Sequence, residues 1–271
     1  MTDDPALVAF AGVFLAAVGL VVGSFLNVVI YRVPRDLSIV RPGSACPGCH
    51  ATITARDNIP VLSWLLLRGR CRRCGIRISP RYPLVELLTA GVWLALGWWA
   101  IRPDGIPALL PLLLILGSAG VALFFIDLEH HRLPDVIVLP LYPVTVAGLA
   151  VAGVASGEWP LLSVAVGVGA WLVVIGGLWL LTGGRGMGFG DVKLAPILGA
   201  TLGWVGVMPA IVAIFAAFGL GAIVGLALMA ARRAGRRSAL PFGPFLLVGA
   251  LVGLFAGQAV GDAYLGLLSG G

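Results

Sequence analysis

The sequence predicts an all-α protein that crosses a membrane about eight times and carries a small, zinc-ribbon-like, four-cysteine domain between its first two spans. Of the 271 residues, 59% are hydrophobic and only 11% are charged, whereas soluble domains are about a quarter charged. The mean hydropathy is +1.04. The apolar residues fall into separate runs, most of them near the ~20 residues that cross ~30 Å of hydrocarbon as helix. With eight spans counted, every one of the 18 Lys and Arg except Arg102 falls on one side. That is the bias of cytoplasmic loops, and dropping one span would destroy it.

The expected spans are 7–30, 84–101, 106–126, 136–155, 161–181, 194–204, 207–231 and 245–268. The first follows "MTDDP", an acidic start unlike that of a secretory signal, and its amino terminus is placed outside. The arginine-rich segment that follows is then cytoplasmic, giving residues 1–31 as the first helix, 32–83 as a cytoplasmic domain and 84–271 as a seven-helix membrane domain. The sixth span is short, and "GWVGVMP" separates it from the seventh. Topology accounts for the net charge of +6, so nucleic acid is not an expected partner, whereas membrane lipid is one for the chain as a whole. Trp98, Trp99 and Trp159 read as an outer aromatic belt. Asn27 reads as a hydrogen-bonding contact between helices, and Glu86 as a partner for Arg81.

Two polar strings interrupt this apolar pattern. "FIDLEHHRLPD" puts Asp127 at the end of the third span, and "GMGFGDVKL" puts Asp191 just before the sixth. Two crossings separate them, so both face the cytoplasmic side at similar depth. Ionisable groups at such a depth are costly and normally face a bundle interior or a wet cavity. Two carboxylates that meet there share a proton. One can then take a proton from water attacking a peptide carbonyl while the other donates to the developing oxyanion. Gly186, Gly188 and Gly190 would let substrate or backbone approach Asp191 closely. Taken singly, Asp135 reads as a helix N-cap, Asp191 as a cap or a partner of Lys193, and Glu129 as a solvated or supporting group. His130 and His131 point apart on a helix and lack a third histidine nearby, which disfavours a metal site there.

Four cysteines form two C-x2-C knuckles, Cys46 with Cys49 and Cys71 with Cys74. The spacing matches a tetrahedral zinc-thiolate site. In a cytoplasmic loop disulfides are disfavoured, so a structural zinc that folds the loop is the expected use.

These strings together resemble the bacterial prepilin peptidases, the type IV leader peptidase family of G-x-G-D aspartyl proteases. The likeness is carried by "GSFLNVVIYRVP" at 23–34, the two cysteine knuckles, "SPRYPLVELLTA" at 79–90, the two aspartate strings and "LPFGPFLLVGA" at 240–250. It implies that Asp127 and Asp191 are the catalytic pair, with Gly188 and Gly190 in the motif around the second. It also implies that Cys46, Cys49, Cys71 and Cys74 hold zinc. The substrates would be type IV prepilins and pseudopilins, whose basic leader is cut at the cytoplasmic face of the bacterial inner membrane. A second activity would methylate the new amino terminus with S-adenosylmethionine, although no Rossmann-type glycine fingerprint marks a pocket for it. Glu129, Asp135 and Asp57 are candidates to receive the basic leader. The rival reading is a proton-coupled transporter using the same aspartates; the lack of an internal repeat and the placement of both aspartates at one face speak against it.

Overall fold

The computed structural model describes residues 5–231 and 240–269. Arg232, Arg233, Arg236 and Arg237, which the sequence assigns to the basic side, lie outside the described residues. Regular structure among the described residues is helical: α1 (Pro5–Arg32), α2 (Leu62–Leu66), α3 (Arg81–Ala100), α4 (Leu110–His130), α5 (Asp135–Ser156), α6 (Leu161–Trp171), α7 (Gly177–Thr182), α8 (Phe189–Val205), α9 (Val207–Ala230) and α10 (Gly243–Ser269). A π-helical stretch, Leu172–Gly176, joins α6 to α7. Seven described helices are long and apolar enough to cross a membrane, which makes the chain a multi-pass membrane protein. α8, at the place of the short sixth span, has 17 residues.

Two helix ends differ from the expected spans in a way that bears on function. α4 runs one turn beyond residue 126, and α8 starts at Phe189. Asp127 and Asp191 therefore sit within helical turns and not beyond them. α4 stops where His131 turns left-handed (φ 52°), ahead of Leu133, whose helical conformation Pro134 disfavours. α8 is capped by Gly188 in an extended conformation.

The chain forms two compact units, 1–122 and 123–271. In the first, α1 packs on α3 through Gly19 and Gly23. A methyl group added to Gly23 would lie 2.7 Å from Glu86 Cα, and one on Gly19 would lie 2.9 Å from Ala90 Cα. Backbone-to-backbone approach of this kind needs small residues. One turn further, Asn27 Nδ2 donates to the Tyr82 carbonyl at 3.1 Å, the interhelical role expected of it. Trp93 Nε1 donates to Ser118 Oγ at 2.9 Å and joins α3 to α4. Trp99 is buried, whereas Trp98 and Trp159 are exposed, so the aromatic belt loses one of its three expected members.

Glu86 has a backbone partner that the sequence did not suggest. Its Oε2 accepts the Val61 N–H at 2.7 Å, pinning the start of α2 to the second turn of α3. Val61 has φ 60°, which is unfavourable for a β-branched residue and persists only when neighbours impose it. Glu86→Ala leaves that N–H without an acceptor, a loss of about 1–3 kcal/mol. Hydrogen exchange over residues 61–67 is expected to accelerate in Glu86→Ala and to stay slow in Glu86→Gln.

In the second unit α8 packs against α5, α6, α9 and α10. Beyond Lys193 it is almost wholly apolar around its circumference, as a helix surrounded by others must be. Gly199 of α8 meets the Gly167 carbonyl of α6, with a methyl group there only 2.7 Å away. Trp171 Nε1 donates to the Ala210 carbonyl at 3.1 Å and ties α6 to α9. On α10, Gly249, Gly253, Gly257 and Gly261 recur every four residues against Ala217, Ala213, Pro209 and Met208 of α9. Asp135 lies inside the first turn of α5 and is not its N-cap. Its carboxylate takes Lys193 Nζ of α8 at 2.7 and 2.8 Å, while Tyr142 Oη donates to the Lys193 carbonyl at 2.7 Å.

Candidate active site and metal centre

The last turn of α4 and the first turn of α8 bring Asp127 and Asp191 into one buried site, each 5% exposed. They lie close enough for their charges to act on one another. Each carboxylate is held through one oxygen by a glycine amide. The Gly243 N–H, at the start of α10, donates to Asp127 Oδ2 at 3.0 Å. The Gly188 N–H donates to Asp191 Oδ2 at 3.1 Å, so Asp191 does cap its own helix, and Lys193 is engaged elsewhere. Asp191 Oδ1 is buried and has no hydrogen-bond partner. A buried carboxylate oxygen without a donor is costly while ionised.

Leu133 fits between the elements that carry this pair. A methyl group on Gly190 would meet Leu133 Cβ at 2.8 Å and its backbone nitrogen at 3.4 Å. One on Gly243 would meet Asp127 Oδ2 at 2.8 Å and Leu133 Cδ2 at 3.2 Å. Neither position admits a side chain without displacing its neighbours. Gly188 differs, because a methyl group there would be in ordinary contact with Asp191 Oδ2 at 3.5 Å. Gly188 therefore has room for a methyl group in contact with the carboxylate, while Gly190 allows backbone to close in.

Sequence reasoning gave Gly243 and Leu133 no role. The signal for Gly243 was the "FGPF" string, since a Gly-Pro pair marks a helix start, where amide donors are free. Two other expectations change. Asp57 accepts Arg72 in a bidentate pair, Nε to Oδ1 at 2.9 Å and Oδ2 at 3.0 Å and Nη2 to Oδ1 at 2.7 Å. Hydrogen bonding from Arg72 holds the Asp57 carboxyl below its ordinary range. Asp57 and Asp135 each already have a cation of this chain, so neither is a vacant receptor for a basic leader. Glu129 lies 4.0 Å from His130 Nε2.

The four cysteines converge, with Sγ atoms all within 4.8 Å of one another. Cys46 and Cys74 sulfurs are 3.7 Å apart, near the ~3.8 Å edge of a tetrahedron with ~2.3 Å metal–sulfur bonds. The two knuckles share one geometry. The Cys46 N–H donates to Ala51 and the Cys71 N–H to Ile76, at 3.0 and 2.9 Å, while the His50 and Gly75 N–H groups return to the Cys46 and Cys71 carbonyls. His50 and Gly75 are both left-handed. Each knuckle is closed by a single antiparallel bridge, Ala45 to Thr52 and Arg70 to Arg77, so the zinc-ribbon likeness is reduced to its turns. Backbone donors at Cys74 and Arg73 bring the Cys71 thiol down to about 6. The Ile76 N–H favours the Cys74 thiolate, but burial and the three neighbouring thiols outweigh it and push Cys74 up to about 11. Thiols crowded this closely resist shedding their last protons until a cation joins them, so the donor set fits a tetrahedral thiolate metal.

Residues 17–100 match the bacterial peptidase A24 N-terminal domain, and residues 112–226 match the type IV leader peptidase family. Among curated proteins, one from Aeromonas salmonicida is 38% identical over 94% of this chain and 94% of its own. One from Neisseria gonorrhoeae is 36% identical over 96% of each chain. One from Myxococcus xanthus is 44% identical over 83% of this chain and 66% of its own. All three carry the name prepilin leader peptidase/N-methyltransferase. No solved structure matches the chain.

Proposed function

We propose, since the chain belongs to the type IV leader peptidase family, that it cuts the basic leader from type IV prepilins and pseudopilins and then methylates the new amino terminus. Asp127 and Asp191 are the catalytic pair. The observation that carries this is their convergence, with one oxygen of each fixed by a glycine amide. Fixing one oxygen orients the other. The pair shares one proton, so the ionised carboxylate draws a proton from water as that water attacks the scissile carbonyl. The protonated one gives its proton to the carbonyl oxygen. Collapse of the tetrahedral intermediate breaks the C–N bond: the proton taken from water passes to the leaving amine, which becomes the amino terminus of the mature helix, and a diol hydroxyl returns its proton to the other carboxylate.

Cys46, Cys49, Cys71 and Cys74 would hold a structural zinc, which would crosslink the loop. S-adenosylmethionine is the methyl donor. The concentration of Lys and Arg on one side supports a cytoplasmic catalytic face in the bacterial inner membrane, with the amino terminus outside. The proton-coupled transporter gains no support from the family.

The direct test presents a model prepilin to the reconstituted chain and reads the product's amino terminus by mass spectrometry, with and without S-adenosylmethionine. An uncut precursor would overturn the reading. Two glycines refine it. Gly190→Ala drives a methyl group against Leu133, costing about 1–3 kcal/mol as overpacking, so melting temperature and cleavage are expected to fall together. Gly188→Ala sets a methyl group in unstrained contact with the Asp191 carboxylate, so cleavage is expected to fall while the melting temperature holds. Wild-type cleavage in Gly188→Ala would mean that substrate approaches from another side.

A further inference from the structure

The loop between α1 and α3 carries a surface that neither aspartate nor cysteine chemistry uses. Leu62, Leu65 and Leu66 of α2 are exposed by 56, 57 and 81%, a concentration of apolar surface that water does not favour. Their depth is fixed, because the Glu86 carboxylate holds Val61 only about 8 Å along α3 from its first residue, at 1.5 Å per residue. The leucines thus lie level with the start of a membrane span. Beside them Trp64, Arg68, Arg70, Arg77 and Pro80 line a cavity of about 470 Å³ with no acidic residue in its wall. Pro80 immediately precedes α3, so the cavity opens at the same level. The Trp64 indole is fixed as one wall by its bond to the Ile78 carbonyl at 3.1 Å. Arg72 is matched by Asp57, but the side chains of Arg68, Arg70 and Arg77 have no ion-pair or hydrogen-bond partner among the described residues.

Three unmatched guanidinium groups around one cavity repel each other until an anion enters, and phosphate suits them in both charge and fork geometry. The neighbouring leucines require an apolar companion at the same place. We propose that α2 and this cavity form a docking surface for an anionic phospholipid of the membrane that the chain spans. The leucines enter the acyl edge, and Arg68, Arg70 and Arg77 take the headgroup phosphate. The four-cysteine loop is thereby seated on the membrane. The proposal rests on membrane topology and does not depend on the peptidase reading.

The test places the full chain in nanodiscs with photoactivatable phosphatidylglycerol and locates adducts by mass spectrometry. Adducts are expected within residues 61–80. A basic residue near an anionic surface is worth about five-fold in affinity, so R68A/R70A/R77A should lose labelling by about that factor per arginine. The triple lysine variant keeps the charge but not the fork, so it should lose clearly less labelling than the triple alanine variant, which separates lost charge from lost folding. Leu65→Asn with Leu66→Asn should also weaken labelling. Undiminished labelling of the triple alanine variant or of the double asparagine variant would overturn the proposal. So would equal labelling by a phosphatidylcholine probe, or removal of the adducts by excess free glycerol phosphate, which would identify a soluble anion as the occupant.

Discussion

Asp127→Asn and Asp191→Asn are each expected to slow leader cleavage by about 10²- to 10⁴-fold, the range carried by general acid–base groups. Asn is close to Asp in shape and retains an acceptor oxygen for the Gly243 or Gly188 amide, so the loss reports proton chemistry and not collapse of the site. The double variant should be little worse than the worse single one, because groups that act as a unit do not add. Methylation of a pre-cleaved substrate provides the folding control, and it should persist in all three. Mass spectrometry of a model prepilin reads cleavage, and of the pre-cleaved substrate reads methylation. Wild-type cleavage by either single variant would remove the pair from the mechanism.

Removing the zinc proposed for the four cysteines should have an effect as large, but on folding. Binding of structural zinc by thiolates is worth about 10–16 kcal/mol near neutral pH, more than the loop's few buried contacts could replace. Among its residues Cys46 and Ser63 are buried, while most of the rest are exposed or half-buried. Chelation, or Cys46→Ser with Cys74→Ser, is expected to make residues 33–80 sensitive to protease while the membrane helices keep their circular dichroism. Bound zinc, measured by elemental analysis, should fall in step. A loop that stays protease-resistant without metal would assign its stability to the Arg72–Asp57 pair and the Glu86 tether.

Much of this architecture follows from patterns that a chain of this composition cannot hide. Apolar runs and one-sided arginines dictate the helices, and two cysteine knuckles imply their own convergence. Asp127 and Asp191 were recognisable because charge is costly where they lie. What escaped was set by side-chain partners drawn from distant sequence. Glu86 took a backbone amide at the start of α2, Asp135 took Lys193 and not its own helix end, and Gly243 reached Asp127 across 116 residues. Trp99 and Trp98 are adjacent in sequence, yet only the packing of α3 decides which of them is covered. The glycines of α10 could not be singled out among 39 until α9 was set against them.

That row of glycines works as an index. Gly249, Gly253 and Gly257 are notches in which the backbone of α9 rests, with Gly261 against the Met208 side chain, so α10 can shift along its neighbour only in jumps of about 6 Å, four residues at 1.5 Å each. Smaller slides would drive side chains into the α9 main chain. The amide at the head of the same helix, which grips Asp127, is therefore clocked in both height and angle by contacts deep in the bilayer. One residue inserted between Gly243 and Gly249 would leave every notch engaged and rotate that amide by about 100°, away from the carboxylate it serves.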